Sequence, residues 1–362
     1  MLGSVKGRLG CVALPSVLRS LLTAPGPSGY ESAPTAVWRE AASAFAEVTG
    51  DALGSSVARV RGTGDGPLAA IVGHIDEIGL IVTHIDGEGF VSFRPVGGWS
   101  AEVLRAQRVT VLTKDGELPG VVERARLKVR KGVEPQPTAL DDLHIDIGAK
   151  DGDEARRLVR PGDAVVIAGE PVELPNERVA SRSLDNRLGA FVALEAARLV
   201  AEAGGAHGDV AAVAAVQEEV GDFGGARVAT FTLEPAVAIA VDVTHSTDVP
   251  GGDPKVEGEH GLGSGPAISR GSTINPKVFD LLAETAEAEG IEYTLAVSAG
   301  TTSTDMDAMY LSRAGVATGL VSIPLRYMHT PTEIVDLTDV DKCARLLAAF
   351  VSRLEPGVSF TR

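Results

Sequence analysis

The chain has 362 residues, of which 44% are hydrophobic and 23% are charged, and its formal net charge is −16. This length suits two domains and is sufficient to bury a large core without disulfides. The acidic balance argues against nucleic acid and anionic membranes as partners, because phosphate binding needs clustered Lys and Arg side chains. Aromatic residues amount to only 4%, so the sequence does not predict a surface on which bases or sugars stack.

The N-terminal segment and the cysteines bear on where the protein works. An apolar stretch begins at Cys11, but Pro15 and Arg19 interrupt it, so it is too short for a signal peptide. No window has the apolar length of a transmembrane helix. Cys11 and Cys343 fit no zinc or redox motif, which favours a reducing compartment. The sequence therefore predicts a soluble cytoplasmic protein in which residues 1–13 form an extension without an assigned role.

The first predicted elements are two helices within residues 17–47, followed by an apolar strand at residues 67–72 that ends just before His74. From residue 78 to about 172, short alternating runs are separated by turn pairs: Asp86-Gly87, Asp115-Gly116 and Pro161-Gly162. This pattern is typical of a small antiparallel β unit.

The rest of the chain alternates apolar strands with amphipathic helices. Strands are predicted at residues 210–216, 236–241, 291–297 and 316–323. Helices are predicted at residues 186–203, 276–289, 306–313 and 339–353, and a glycine-rich helix begins near residue 224. This alternation predicts an α/β fold with a three-layer α/β/α sandwich around a mostly parallel sheet. The sandwich is expected to comprise residues 1–77 and 174–362, with a small β-rich domain of barrel or PDZ-like form inserted at residues 78–173.

Five short motifs with metal-ligand residue types lie at or beside the ends of apolar runs. They are Gly73-His74-Ile75-Asp76, Leu184-Asp185-Asn186, Gln217-Glu218-Glu219, Val241-Asp242 and Met328-His329. Ligands of open α/β sheets bind at the carboxyl ends of the strands, so these motifs are expected to converge. Each motif alone has an ordinary explanation, such as a helix N-cap or a solvated pair of glutamates. Together they predict a site for two divalent metal ions.

The motifs also predict how the two ions are shared among the ligands. Asp185 suits a bridging carboxylate, because it lies in a turn just before a helix. His74 and Asp242 are expected to complete the ligands of one ion, and Glu219 and His329 those of the other. Imidazole and carboxylate groups of this kind are ligands of zinc and related ions.

Two further residues are predicted to act in catalysis. Glu218 stands next to a ligand and is free to take a proton from a metal-held water as general base. Asp76, two residues after His74, is expected to orient that imidazole. The remaining histidines have no matching partners at a useful spacing: His84, His144, His207, His245 and His260.

Three other functions fit some of these residues. A glycosidase would use Glu218 and Glu219 as acid and base, but that chemistry leaves the histidines unexplained. A metal-stabilised scaffold without activity would need the ligands but no base. A phosphoesterase would need basic residues to hold phosphate, and few lie near the motifs. Nucleotide binding is not predicted, because Gly261-Leu262-Gly263-Ser264-Gly265 lacks the Lys-Ser/Thr ending of a phosphate loop.

Longer stretches around the motifs resemble a known family. They begin at Ala24 (APGPSGY), Gly73 (GHIDEIG), Ser183 (SLDNR), Gln217 (QEEVG), Arg270 (RGSTINP) and Pro324 (PLRYMH). Over nearly its whole length after residue 14, the chain resembles the tetrahedral, cobalt- or zinc-dependent aminopeptidases. That family includes glutamyl and deblocking aminopeptidases, and some of its members have been labelled endoglucanases.

The resemblance implies an activity and an assembly. The expected enzyme is a metallo-aminopeptidase, a hydrolase that cuts short peptides one residue at a time from a free N-terminus. The expected cofactors are two divalent ions per subunit, zinc or cobalt, held by the residues named above. The family also implies a homo-oligomer in which the inserted β domain makes dimer contacts and the dimers form a hollow dodecamer.

One segment departs from the pattern of the family. Asp222-Phe223 stands where similar sequences often have Leu-Arg after Glu-Glu-Val-Gly. The segment neighbours the predicted metal site, and a carboxylate at Asp222 in the side-chain pocket would repel an N-terminal Glu or Asp of a substrate. A preference for acidic N-terminal residues is therefore not predicted.

Overall fold

The computed structural model describes residues 13–125 and 137–362 of the chain. Its helices are α1 (Ser16–Thr23), α2 (Ser32–Ala42), α3 (Ala101–Leu104), α4 (Gly152–Leu158), α5 (Leu184–Glu202), α6 (Gly224–Leu233), α7 (Pro254–Glu257), α8 (Pro276–Glu289), α9 (Met306–Met309) and α10 (Leu337–Ser352). Within these residues, no helix has the length and apolar character needed to cross a membrane.

The strands are likewise numbered along the chain. They are β1 (Glu47–Gly50), β2 (Ser56–Val60), β3 (Ala69–His74), β4 (Gly79–Ile85), β5 (Val91–Val96), β6 (Arg108–Thr113), β7 (Gly116–Arg124), β8 (Leu143–Asp146), β9 (Ala164–Ile167), β10 (Val172–Leu174), β11 (Arg178–Ser181), β12 (Val210–Ala215), β13 (Val237–His245), β14 (Ala267–Gly271), β15 (Thr294–Ser298), β16 (Ala317–Leu325) and β17 (Glu333–Asp336). Strands β10, β11 and β17 form a small separate sheet.

Four neighbouring strands at the centre of the main sheet are parallel. Strand β3 lies between β12 and β13, and β16 pairs with the other side of β13. Every residue of β3 and β12 is buried, as in strands that helices cover on both faces. The outer strands β1, β2 and β14 join by antiparallel pairing, and β15 forms one edge. The predicted mostly parallel sheet is therefore confirmed.

Helices cover both faces of this sheet. Helix α5 packs against β3, β12 and β13, and α10 packs on α5 and α8. Helices α6 and α9 contact each other and cover the central strands from the opposite face. The close approach of α5 to β3 requires glycine, since a Cβ on Gly73 would lie 2.2 Å from the carbonyl carbon of Gly189. The three-layer sandwich is thus confirmed, and the contact fixes the start of α5 beside the end of β3.

The predicted β-rich segment forms a closed barrel. Its strands follow one another in the order β4, β5, β8, β7, β6 and β9, and each pairs antiparallel with its neighbours. The barrel has its own core of aliphatic side chains, including Val91, Val111 and Ile145. An inserted β-rich unit is therefore part of the confirmed fold class, whereas its limits at residues 78 and 173 stay a prediction.

Several short elements differ from their predictions. The second predicted helix ends at Ala42 instead of Glu47, because Glu47–Gly50 form strand β1 and pair with β2. The helix predicted at residues 306–313 already ends at Met309. Strands β2, β11, β14 and β17 were not predicted, and each is only a few residues long. Strands β2 and β11 pair with the nearby β1 and β10 as well as with distant strands, so sequence distance does not explain why they were missed. Runs this short carry too few residues to show a clear period.

Candidate metal centre

The five sequence motifs meet at the carboxyl edge of the parallel strands. Parallel strands all end at this edge, and the loops that follow them carry side chains from distant parts of the chain. The contributions are His74 at the end of β3, Asp242 within β13, Glu218 and Glu219 after β12, Asp185 in the first turn of α5, and His329 after β16.

His74 lies at the centre of the more deeply buried side of the cluster. Its Nε2 atom is 3.3 Å from Asp185 Oδ1, 3.8 Å from Glu218 Oε2 and 3.9 Å from Asp242 Oδ1. The site contains two sets of three residues whose ligand atoms lie within 4.8 Å of one another. The first set is His74, Glu218 and Asp242, and the second is His74, Asp185 and Glu219. With this spacing, one cation can contact all three atoms of a set.

Asp185 stands between the two histidines. Its Oδ1 atom is 3.3 Å from His74 Nε2, and its Oδ2 atom is 3.3 Å from His329 Nε2. The same Nε2 atom of His329 is 3.5 Å from Glu219 Oε2. Each oxygen of the Asp185 carboxylate thus faces a different imidazole, so the carboxylate could contact a cation held beside either ring.

Asp76 is fully buried and joins three segments of the site. Its carboxylate is 3.4 Å from His74 Nδ1 and accepts a hydrogen bond of 2.6 Å from the Ser28 hydroxyl. It also accepts the backbone amides of Glu218 and Glu219 at 3.1 Å each. Asp76 therefore faces the His74 ring and holds the backbone that carries both glutamates. Sequence reasoning missed Ser28, whose only signal was its place in the turn that begins at residue 24.

A second buried carboxylate, Glu333, holds the other side of the site. It accepts the backbone amide of Asp185 at 3.1 Å and that of His329 at 3.0 Å. Glu333 is the first residue of β17, a strand that the sequence did not predict, so it was missed as well. Only the fold brings its strand beside both ligand-bearing loops.

The backbone of the site includes positions in the left-handed region, which residues other than glycine rarely adopt. The φ angle is 61° at Gln217 and 60° at His329. The amide of Gln217 donates to Glu31 at 3.2 Å, and the side chain of Asn186 donates to the Val241 carbonyl at 2.8 Å. Such backbone persists where surrounding contacts fix it, as is common beside functional groups.

The charges of the site are unbalanced. Burial raises the pKa values of three carboxyl groups, and neighbouring carboxylates add to the effect: Glu218, Glu219 and Asp242. Burial acts in the same direction on Asp185, but its contacts with His329 and His74 outweigh burial and lower its pKa. Burial lowers the pKa of His74, yet the surrounding carboxylates outweigh that effect and raise it well above the usual value.

The residues present fit divalent cations. The carboxylates outnumber the two imidazoles, and among residues 13–125 and 137–362 no Lys or Arg forms an ion pair with Asp185, Glu219 or Asp242. The Oε1 atom of Glu219 is buried without a hydrogen-bond partner in the same part of the chain. A mixed set of imidazoles and carboxylates with surplus negative charge is what zinc or a similar ion requires.

A cavity of about 360 Å³ opens over the cluster. Apart from the ligands and Glu218, its wall is made mostly of hydroxyl groups and small side chains: Val243, Thr244, His245, Thr302, Ser303, Thr304 and Met328. His245 had no predicted functional partner in the sequence, but the residue lines this cavity. Larger cavities, of about 690, 650 and 460 Å³, lie elsewhere in the described part of the chain and contain none of the cluster residues.

Two segments that the sequence singled out stand apart from this cavity. Asp222 is exposed after Glu219 and is not among the residues that line it, so its carboxylate is outside the expected side-chain pocket. In the glycine-rich loop, the amides of Gly263 and Gly265 donate to the Asp339 carboxylate at 2.7 Å each. The donors that a phosphate would need are therefore already used.

A family model and a known relative both match most of this chain. The model of the M42 glutamyl aminopeptidase family matches residues 54–346. A lysyl aminopeptidase from Pyrococcus furiosus is 35% identical, and the match covers 94% of this chain and 97% of that protein.

Solved structures give the same result. An aminopeptidase from the archaeon Desulfurococcus kamchatkensis superposes with a TM-score of 0.85 and 36% identity, over 93% of each chain. The TET1 peptidase of Pyrococcus horikoshii, which can assemble into a tetrahedron or a large octahedral shell, has a TM-score of 0.80 and 30% identity, over 93% of this chain and 99% of that one.

The match covers most of the chain, and the similar proteins named here are aminopeptidases or peptidases. The expected resemblance to aminopeptidases is thereby confirmed, and the protein is a hydrolase of peptide bonds. The chain belongs to the M42 glutamyl aminopeptidase family.

Proposed function

We propose that this protein is a metal-dependent aminopeptidase that removes N-terminal residues from short peptides at a dinuclear centre. The observation that carries the proposal is the Asp185 carboxylate, which lies 3.3 Å from both His74 and His329 within a surplus of carboxylates. When bound, two divalent ions supply Lewis acidity toward a carbonyl oxygen and make water a nucleophile at neutral pH. Zinc or cobalt suits this set of ligands.

The ligands divide into two halves that share Asp185. In the first half, His74 and Asp242 would hold one ion. In the second half, Glu219 and His329 would hold the other. This division is supported by the distances from each histidine Nε2 atom to its neighbouring carboxylates, which range from 3.3 to 3.9 Å.

Glu218 is proposed as the general base. Its carboxylate lines the cavity and lies beside His74, and Asp76 holds its backbone amide. Burial raises the pKa of Glu218, and the Asp242 carboxylate adds to the rise; a divalent cation beside Glu218 would lower that pKa again, toward the neutral range in which a general base works. Glu218 takes a proton from the attacking water and later delivers it to the nitrogen of the leaving amine, so the peptide bond breaks with the protons balanced.

The shape and charge of the site favour exopeptidase action. The cavity is small, and the free amine at the start of a peptide would bind one divalent ion held in it. The wall formed by Thr244, Thr302 and Ser303 carries no Lys or Arg that would repel such an ion. A free N-terminus is therefore the part of the substrate that this site recognises best.

We also infer a homo-oligomer. The similar TET1 peptidase assembles into a closed shell, and this chain aligns with it over nearly its full length. The inserted domain, proposed at residues 78–173, would make the dimer contacts, and dimers would build a dodecamer. Light scattering on the purified full chain tests this, and a monomer at micromolar concentration contradicts it.

Glu218→Gln tests the proposed base. The substitution keeps the shape of the side chain and removes its ability to take a proton, so kcat on aminoacyl reporter substrates is expected to fall by about 10²- to 10⁴-fold. The metal content should stay as in the wild type. Near-normal turnover refutes the base, and lost metal identifies Glu218 as a ligand instead, as its place beside His74 and Asp242 permits.

Removal of metal tests the centre itself. Dialysis against a chelator is expected to abolish peptide hydrolysis, and added zinc or cobalt is expected to restore it. A glycosidase that uses only Glu218 and Glu219 would keep its activity on sugars in the chelator. Sugar hydrolysis without metal, together with no release of N-terminal residues, is the result that would favour that alternative.

A further inference from the structure

Asp305 is a buried carboxylate that the proposed mechanism does not use. It immediately precedes α9, and the residue is only 2% exposed. Both of its carboxylate oxygens lack a hydrogen-bond partner in the described part of the chain. Buried polar atoms in proteins are nearly always paired, so a carboxylate with two unpaired oxygens requires an explanation.

The fold places Asp305 beside the first half of the centre. Helix α9 packs against β13, the strand that carries Asp242. The neighbouring residue Thr304 lines the cavity over the ligands. Burial raises the pKa of Asp305, His74 opposes the rise, and Asp242 and Asp76 add to it, so Asp305 lies within reach of charges that all belong to or support the first half.

A purely structural role would give this carboxylate hydrogen bonds of its own. Asp307, two residues further on, shows what such a role looks like. Its carboxylate accepts the amide of Thr302 at 2.9 Å and that of Ser303 at 2.7 Å, and so fixes the loop before α9. Asp305 holds no such partner in the described residues. A buried charge of this kind is costly unless a charge of the opposite sign lies near it.

We propose that Asp305 is a positioning residue for the metal centre, whose negative charge strengthens retention of the ion held by His74 and Asp242. The inference rests on the dinuclear centre of the proposed function. Attraction between a carboxylate and a divalent cation is strong where water is excluded. Carboxylates just outside the ligands commonly contribute to metal affinity in this way. Asp305→Asn preserves the shape of the side chain and removes its charge.

Cobalt(II) binding to the chelator-treated full chain tests the inference, by calorimetry and by the visible absorption of the bound metal. Asp305→Asn is expected to weaken binding of one ion by about 10- to 100-fold and to leave the other near wild-type affinity. In chelator, the same variant should melt no lower than the wild type, because the Asp305 carboxyl has no hydrogen bond to lose in the described part of the chain.

Asp307→Asn is the matched control. It alters a carboxylate of the same segment that is fully hydrogen-bonded, so it should lower the melting temperature in chelator and bind cobalt like the wild type. If both variants change cobalt binding equally, the effect comes from the loop and not from the charge of Asp305, and the inference fails.

Two double variants show which half of the centre loses cobalt affinity when Asp305 is changed. Asp305→Asn should weaken cobalt binding in a His329→Ala background, which keeps the first half, and change it little in an Asp242→Asn background. Unchanged affinity, or equal weakening in both backgrounds, overturns the inference while the dinuclear centre stands. A wild-type chain that binds no cobalt overturns the proposed function itself.

Discussion

Two buried clusters of charged residues are built from the same two segments of this chain, yet they differ in how their charges are balanced. Residues 74–77 and residues 182–187 contribute to both. One cluster is the candidate metal centre, with its surplus of carboxylates. The other is an arginine cluster, defined by Glu77, Arg182 and Arg187.

Each charged side chain of the arginine cluster has a partner of the opposite sign within the protein. Arg187 is fully buried and donates to Glu77 at 3.2 Å, while Arg182 pairs with the other oxygen of the same carboxylate. Both arginines also donate to backbone carbonyls at the end of α1, including that of Thr23 at 3.0 Å and that of Ala24 at 3.1 Å. Burial lowers the pKa of Arg187 to about 10, and Glu77 opposes that effect, so the side chain stays charged at neutral pH.

The difference teaches how to tell structural charge from functional charge inside a protein. Glu77 has two guanidinium partners, and the cluster ties α1 to the start of α5. Asp185, only a few residues along the same segment, faces imidazoles and other carboxylates instead. Buried acidic groups that are not neutralised by the chain itself indicate a site for an external cation.

The largest expected effect comes from breaking the arginine cluster. Arg187→Ala removes one of the two guanidinium partners of Glu77 and the bonds to the end of α1, and it leaves a cavity in the core, so the free energy of unfolding should fall by about 3 to 5 kcal/mol. The loss should be equal with and without chelator, as measured by denaturant unfolding. Arg198→Ala, on the exposed side of the same helix, should cost at most about 1 kcal/mol. Similar losses in both variants would remove the distinction between the two clusters.

Glu31 is a third kind of buried carboxylate, distinct from those of the metal centre and from Glu77. In the described part of the chain, backbone amides are its hydrogen-bond donors. Its Oε1 atom accepts the amides of Gly29 at 2.6 Å and Gln217 at 3.2 Å, and burial raises its pKa to about 7. Since the folded protein keeps this proton longer than the unfolded chain does, stability should fall as the pH rises from about 4.5 through 7.

Glu31→Gln keeps the accepting oxygen and removes the titration. Between pH 5 and pH 8, the wild type should therefore lose about 2 to 3 kcal/mol more of unfolding free energy than Glu31→Gln does. Denaturant unfolding of both proteins in chelator across this range measures the difference. Identical pH profiles for the two proteins would show that Glu31 is already ionised in the fold.

The smallest expected effect tests the surplus charge of the metal centre directly. In chelator, Asp242→Asn should raise the free energy of unfolding by about 1 kcal/mol, because one of several like charges is removed. The acceptor for the Val243 amide, at 2.8 Å, is kept. Glu77→Gln makes the same chemical change in the arginine cluster and should destabilise the protein.

With zinc present, Asp242→Asn should instead have a lower free energy of unfolding than the wild type. The same sign for both variants in chelator contradicts the comparison.

Much of the fold could be predicted from local patterns. The helix predicted at residues 276–289 has those limits in the structure, and the apolar runs of β3, β12, β13 and β16 were predicted within a few residues. Long runs with one clear periodicity carry this information by themselves. Strands β2, β11, β14 and β17 were missed, since each has only a few residues and shows no clear period.

The candidate site could be predicted as a set of residues but not as a geometry. His74, Asp185 and Asp242 stand in motifs beside apolar runs, and parallel strands bring such ends together. The roles of Ser28, Glu333 and Asp305 had no such signal. Their assignment depends on which buried atoms are paired and which are not, and that is visible only in the folded protein.

The sequence by itself determined an acidic α/β protein with imidazoles and carboxylates at one edge of its sheet. It did so because the period of apolar residues places strands, and the ends of parallel strands meet in space. Only the tertiary structure decided which acidic residues meet arginine and which meet other acids. Asp76 and Glu77 are neighbours in the chain, but their side chains join different clusters, and the packing of residues 182–187 against them sets the charge that each one meets.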